Sequence, residues 1–557
     1  MQKANRACFF APAPSPVLFC PSPLPLLYTD SKKRYNKLIN DRVAAGRRIP
    51  RTAEGRIPRV GLQSIQYILF LAVAAAVYLH LPRRGQPPFL LAASLVFYAM
   101  ADCRYLLVTL GVGAFSYLCG RGIAWRGGAH KTAFVRLGVA GSLAILAFFK
   151  YFGFLETALA LPFSIVMPLG ISFYSFAAIA YLIDAGRGDC EVERNPLTYA
   201  LFLTFFATVT QGPIPRAGAL MPQLTREHRF DAARTIRALR LYGLGLFKMV
   251  AVSDVLGVLV DEVFGHWQSY GGWMLGLAAV CYTFQLYFNF SGYSELARAT
   301  GLVLGLELPE NFKTPFFATN FSGFWSRWHI SFSSWLQDYL FMPLAWADTE
   351  RLTGGRLRRL PPEVCVFIVF FVSGFWHGNT LPFVVWGLLQ ALFRVGEELL
   401  HRRLGKPKRK APARVLWAKR AGVFALWTLS MVFFRMGSGA GTVGDCFGYL
   451  GGLFRGLAPA RFAGEAYRAI YGGFYANGLM VAGYYLFAVL ALALAFWLDA
   501  RRCFRFRNAP AEETLAALPG AKRQAVYYLL VCFVLAGYIL QGGGFGGSAG
   551  FGMYANF

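Results

Sequence analysis

From residue 61 onward, apolar residues run in nearly uncharged blocks separated by short polar stretches. The blocks 63–82, 87–101, 104–120, 134–155, 164–184, 197–214, 239–260, 271–291, 362–377, 380–398, 420–436, 478–498 and 525–541 approach the roughly 20 residues needed to cross about 30 Å of hydrocarbon. Two further stretches, 295–308 and 325–345, are less apolar and read as helices that lie flat or re-enter. Barrel strands would alternate apolar and polar over about ten residues, and these blocks do not. Backbone groups in lipid must bond within their own segment, so the pattern predicts an all-α polytopic bundle. It has about 13 crossings, since each block is close to one membrane thickness.

Composition agrees. Of the 557 residues 56% are hydrophobic and 15% charged, against about 25% charge in a soluble chain. The net charge of +28 does not signal nucleic acid, because the basic residues sit in short clusters between apolar blocks. That is how cytoplasmic loops set orientation. The stretches 350–359, 401–420 and 500–508 carry four, nine and four Lys/Arg. Placing all three in the cytoplasm makes 362–377 and 380–398 an out-and-back pair and leaves 437–477 and the C-terminus outside.

Residues 1–60 are set apart from the 61–557 membrane domain, with twelve Lys/Arg, three acids, many prolines and no long apolar block. They read as an extension without fixed structure, either a basic arm on anionic lipid or the product of a start assigned too far upstream. The ten cysteines contain no C-x-x-C pair and mostly sit singly in apolar blocks, which argues against a disulfide framework or a zinc site. The glycine-rich GGGFGG at 542–547 lacks a surrounding βαβ unit, so it is no dinucleotide site.

An ionisable residue inside a membrane is costly to bury and is read first as functional. Of seven histidines, only His329 and His377 combine aromatic neighbours with apolar flanks. His377 follows Trp376 and precedes Gly378, whose missing side chain would let a substrate approach the ring. A neutral imidazole there suits a general base taking a proton from a hydroxyl. A histidine bonded between helices, or capping the turn at GNTLP, fits equally well. Read as one helix, FWSRWHISFSSWLQDYLF sets Trp325, Trp328, Phe332 and Trp335 on an aromatic face, with Arg327, Ser331, Ser334 and Asp338 opposite. Such a helix lines a watery cavity or anchors at the interface, with Arg327 on phosphates and His329 idle.

The stretches ENFKTPFFATNFSGFWSRWHISFSSWLQDYLFMPL (310–344) and SGFWHGNTLPFVVWGLLQAL (373–392) resemble the membrane-bound O-acyltransferase (MBOAT) family. The likeness is greatest to its bacterial branch of alginate O-acetylases and D-alanyl transferases. MPLGISFYSFAAIAYLIDAGRGD (167–189), QGPIPRAGALMPQL (211–224), QLYFNFSGYSELA (285–297) and VFFRMGSGAGTVGDCFGYLGGLF (432–454) follow in the same order. The resemblance spans about 62 to 557. It implies a ring of helices around a thin central tunnel, with His377 catalytic and His329 a second essential position. Asn311 or Trp325 would steady the oxyanion, and Arg327, Trp328, Ser334, Asp338 and Trp376 would complete the substrate site. The branch pattern YFDFSGYSDMA has Asn289 and Glu295 here in place of two aspartates. Ser326 and Gln337 stand where the branch carries basic residues, which puts contacts to the donor's phosphates in doubt.

What the resemblance implies for function is acetyl transfer from a cytoplasmic thioester to a polysaccharide outside the cell. The donor is acetyl-CoA or another acyl thioester, with no bound cofactor and no metal. The expected partners are membrane lipid and an esterase-like acetyltransferase on the outer face, with an acyl-carrier protein as a further candidate. The glycine-rich tail would point outward and could dock the outer partner. The location is a bacterial plasma membrane. D-alanyl transfer to teichoic acid is the alternative within the family, and a glycan or lipid transporter without chemistry is the alternative outside it.

Overall fold

Length and capping together decide which apolar blocks become single helices. A computed structural model describes residues 61–125, 128–158, 167–350, 358–405, 411–439, 441–470 and 477–540, and among them every regular element is helical. The expectations for residues 1–60 and for the tail beyond 540 lie outside the described residues. The first part comprises α1 (Ile65–His80), α2 (Gln86–Asp102), α3 (Leu106–Trp125), α4 (Ala129–Ala158), α5 (Ile171–Arg187), α6 (Pro196–Thr204) and α7 (Ala217–Leu224). The block 197–214 is therefore helical only in its first half, and 205–212 is irregular. The Asn195 side chain caps α6 by accepting from Leu197 N at 3.0 Å, with Pro196 in the first helical position.

Two long helices form the axis. α8 (Ala232–Gly265) contains a wider π turn at Phe247–Ser253, and α9 (Gly272–Leu304) runs unbroken for 33 residues until Gly305 ends it in a left-handed conformation. They cross backbone to backbone at Gly245 and Gly292, where a Cβ on either glycine would lie 2.8 Å from the other's carbonyl oxygen. Small residues allow such approach in membrane bundles.

The expected separation of 271–291 from 295–308 is corrected here. The polar residues that suggested it are buried and paired with distant parts of the chain. Every position from 285 to 302 is buried. Glu295 meets Lys248 of the α8 π turn at 2.6 Å, Tyr287 donates to Asp499 at 2.6 Å, and Arg298 reaches Glu512 at 3.3 Å.

The chain continues through short α10 (Phe321–Trp325), α11 (Ile330–Leu336) with a π turn at Gln337–Phe341, and α12 (Met342–Trp346). Then come α13 (Pro362–His377), α14 (Leu381–Leu404), α15 (Ala413–Gly437), α16 (Val443–Gly452), α17 (Pro459–Ile470), α18 (Gly478–Phe504), α19 (Ala511–Ala516) and α20 (Gly520–Leu540). Among the described residues, six helices are long and apolar enough to span a bilayer: α3, α4, α8, α15, α18 and α20. Three shorter apolar helices accompany them at Ile65–His80, Gln86–Met100 and Pro362–His377. The 16 residues of α13 reach only about 24 Å, so His377 ends a helix too short to cross a normal bilayer.

The flanks of the three basic loops gather at one end of the bundle. Arg402 pairs with Glu363, Trp417 lies 5.9 Å from Phe504, and the Arg420 guanidinium covers the same Phe504 ring at 5.2 Å.

The buried pair on the axis is testable. Lys248→Met leaves Glu295 uncompensated and destabilises by about 3–5 kcal/mol, whereas Lys248→Met with Glu295→Leu regains most of that loss. Thermal unfolding of the purified variants in detergent measures both, and equal midpoints for single and double variants would contradict the account.

Candidate active site

The motif stretch 324–341 is not one helix. α10 ends at Trp325, and His329 adopts a left-handed backbone (φ 44°, ψ 55°) as the N-cap of α11. Trp325 and Trp328 therefore do not share a helical face with Phe332 and Trp335, which corrects the single-helix reading. A break in this setting leaves backbone groups to satisfy, and Asn311 takes two of them. Its carbonyl accepts from Ile330 N at 2.9 Å and its Oδ1 from Ser331 N at 3.1 Å, while its Nδ2 donates to Ser294 on α9 at 3.1 Å.

His377 arrives from the other side as the last residue of α13. α13 and α14 form a hairpin in which a Cβ on Gly374 would lie 2.6 Å from Phe383 O and 3.0 Å from Gly387 Cα. That glycine contact presses Phe383 and Trp386 of α14 against the histidine, at ring centroid distances of 6.2 and 5.1 Å. Phe434 of α15 closes a third side at 4.9 Å.

The two imidazoles line one cavity. With Leu286 and Phe290 of α9, Trp325, Trp328 and Phe332, Trp386, and Trp427, Met431 and Phe434 of α15, they enclose about 20 Å3, room for about one water-sized group. His329 is 4% exposed and His377 8%. The Phe332 ring touches both, at 5.1 Å from His329 and 6.3 Å from His377. His329 Nδ1 is buried without a hydrogen-bond partner, as is the Trp325 indole N–H, so both are left for something that enters.

Trp325 also lines a second space. This open vestibule of about 560 Å3 is bounded by Ser322, Ser326, Ser333, Ser334, Gln337, Phe341, Val366, Val369, Phe370 and Arg394, among others. It meets the first cavity at Trp325 and follows the first half of α13, past Phe370, Val369 and Val366, toward the end of the bundle where the basic loops meet. Ser326 and Gln337, the two positions that depart from the branch pattern, both lie on its wall, and Arg394 is tied to Glu397 at 3.4 Å.

The remaining expected site residues fall elsewhere. Trp376 packs behind the cavity against Phe332 (4.4 Å) and Phe176 (5.5 Å). Asp338, in the π turn, pairs with Arg216 at 2.7 Å and is half exposed. Arg327 accepts from Lys313 N through its carbonyl at 3.0 Å, and its Nη1 is buried without a partner. Among the described residues, His, Cys, Asp and Glu do not gather in threes as metal ligands would.

Comparison with known proteins bears on this arrangement. The model of the MBOAT, membrane-bound O-acyltransferase family, matches residues 192–436. A probable alginate O-acetylase AlgI of Pseudomonas putida is 34% identical over 383 residues, 66% of this chain and 75% of that protein. A peptidoglycan O-acetyltransferase of Helicobacter pylori is 31% identical over 62% of this chain and 70% of its own length. The chain belongs to the membrane-bound O-acyltransferase family. A teichoic acid D-alanyltransferase of Streptococcus thermophilus is also similar, at 29% identity over 49% of this chain and 68% of that protein. The chain is thus a multi-pass membrane O-acyltransferase, and the transporter alternative falls away.

Reading histidines alone missed other parts of the candidate site. Lys150 of α4 brings its ammonium 5.1 Å from the Trp376 ring centroid, buried and without a hydrogen-bond partner, and it interacts electrostatically with His377. A lysine inside the block 134–155 was the signal for it. Of the wall supplied by α15, Phe434 lies in the 432–454 motif while Trp427 and Met431 precede it, and apolar side chains gave no sign of a site.

Gly378 also differs from expectation. A Cβ there would lie 2.5 Å from the Phe383 ring, so the space is filled by Phe383 and is not open to substrate. Gly378→Ala should drive Phe383 toward His377 and abolish most acyl transfer, and Gly378→Ala with Phe383→Leu should restore a measurable part. Acyl ester formation per folded molecule is the measurement, and an active single variant would refute the packing argument.

Proposed function

We propose that this acyltransferase takes an acetyl group from a cytoplasmic thioester and passes it outward for O-acetylation of an extracytoplasmic polysaccharide. The observation that carries the reading is the pair of imidazoles, His329 and His377, on one closed aromatic cavity adjoining a vestibule. In the reaction, His377 takes the proton of the accepting hydroxyl as its oxygen attacks the thioester carbonyl. The C–O bond forms, the C–S bond breaks, and the departing thiolate recovers the proton from the imidazolium. His329 and the Trp325 N–H, each with an unused polar atom on the cavity wall, would donate to the carbonyl oxygen as it gains charge. Near-absence of water strengthens both contributions.

The direction is supported by the vestibule, which runs from the cavity toward the end flanked by Lys/Arg-rich loops, the side such loops mark as cytoplasmic. It gives a long, flexible thioester arm a route to a short helix end. The C-terminus then lies outside, in a bacterial plasma membrane. An esterase-like partner on the outer face would complete transfer to sugar, since no hydrolase pattern is evident in the sequence. Acetyl is favoured over D-alanyl by the cavity wall. Its lining residues include no carboxylate, and a D-alanyl ammonium entering there would lose its hydration without a counter-charge.

His377→Ala and His329→Ala should each lower acetyl ester on cell-envelope glycans by about 10²-fold or more at unchanged protein level. Ester at the wild-type level in His377→Ala would remove the mechanism. Because Trp325 divides cavity from vestibule, Trp325→Ala should also let propionyl and butyryl thioesters compete with acetyl. Competition assays with mixed acyl-CoA donors read this, and an unchanged preference would reject Trp325 as the boundary.

A further inference from the structure

The family match ends at residue 436, yet the helices beyond it hold on to the loop that shapes the His329 turn. Among the described residues, four non-glycine positions have left-handed backbone: Thr314, His329, Arg507 and Asn508. Thr314 and Asn508 meet at one junction, Arg507 precedes Asn508 in it, and the segments flanking His329 are bonded to it. The Thr314 hydroxyl donates to Asn508 Oδ1 at 2.6 Å, Lys313 N donates to Arg327 O at 3.0 Å, and Ile330 N donates to Asn311 O at 2.9 Å. Strained backbone of this kind persists only where surrounding structure over-determines it, and it collects at functional sites.

Arg502, at the end of α18 and 3% exposed, organises the far side of the junction. Its Nη1 donates to Phe312 O at 3.1 Å, its Nη2 pairs with Glu310, and its Nε donates to Ala509 O at 2.8 Å. The first two contacts bracket Asn311, the residue that satisfies the backbone beside His329. Arg298 of α9 draws Glu310 and Glu512 toward the same point, at 3.8 and 3.3 Å. A continuous run of contacts therefore leads from the 505–510 turn, through 310–314, to the imidazole.

We infer that Arg502 and Asn508 are positioning residues for His329, and that the C-terminal helices are a working part of the catalytic apparatus. This rests on the reading of His329 as a participant in the reaction. The vestibule has no wall from this turn, so the device acts on the chemical step and leaves donor binding alone.

Asn508→Gly is the discriminating variant. Glycine accepts the φ of 60° without strain, so the substitution removes the tie to Thr314 while sparing the backbone. With full-length protein in membrane vesicles that retain the cell-envelope glycan and the outer-face partner, and acetyl-CoA as donor, thiol release should show kcat reduced roughly ten- to a hundredfold. KM for acetyl-CoA should stay unchanged, and so should the melting midpoint. Asn508→Asp, which keeps an acceptor oxygen, should recover most of the rate. Asn508→Gly combined with His329→Ala should be no slower than His329→Ala alone. Wild-type kcat in Asn508→Gly, or losses that add in the double variant, would overturn the inference. An active His329→Ala would instead remove the underlying reading of that histidine.

Discussion

Everything in the site follows from a broken helix in a place where a break is hard to sustain. Within hydrocarbon, unpaired backbone groups are paid for at several kcal/mol each, so irregular chain survives only when protein supplies the missing partners. Asn311 supplies them to Ile330 and Ser331. Its amide nitrogen is in turn held by Ser294 on the buried axis helix. Freed from a helical register, His329 can turn its ring across Phe290 at 4.6 Å and face the end of α13. A continuous helix would have kept residue 329 in register with its neighbours and denied it this left-handed turn.

The second requirement is that the opposing histidine sit at a helix end and not along a helix side. α13 meets it by stopping after 16 residues, and the Gly374–Gly387 contact lets α14 turn back without room for lipid between them. The aromatic rings then do two things at once. They seal a space about the size of one small group, and they leave the imidazoles and the indole N–H groups of Trp325, Trp386 and Trp427 as its polar features. On the proposed reading, a cavity so small would admit the reacting carbonyl only once the donor arm had displaced Trp325 or its neighbours, so specificity and exclusion of water would come from the same packing.

Much of this was legible in the sequence, and the reasons for the failures are specific. Apolar block length identified most helices, and the cost of intramembrane charge picked out His329 and His377. The break at 326–329 was not legible, because aromatic residues recur at helical spacing straight through it and no glycine or proline marks the turn. The continuity of α9 was hidden for the opposite reason. Residues 287–298 look too polar to sit inside a bundle, but Lys248, Asp499 and Glu512 neutralise or bond Glu295, Tyr287 and Arg298 from 47 to 214 positions away. Gly378 was misread because sequence shows that a side chain is missing, not what fills the gap.

Those distant partners also explain how a bundle of mostly apolar helices keeps one arrangement. Lipid tails are as apolar as leucine, so burial alone gives helices little reason to choose one neighbour or register over another. Glycine crossings fix distance: Gly245 on Gly292, and Gly374 on Gly387. Buried charges fix rotation and depth, because Lys248 finds Glu295 and Arg502 finds Glu310 in only one register. Bringing two imidazoles from separate segments to one cavity depends on both kinds of constraint. Apolar packing supplies the enclosure, and the few charges inside it determine where the enclosed groups stand.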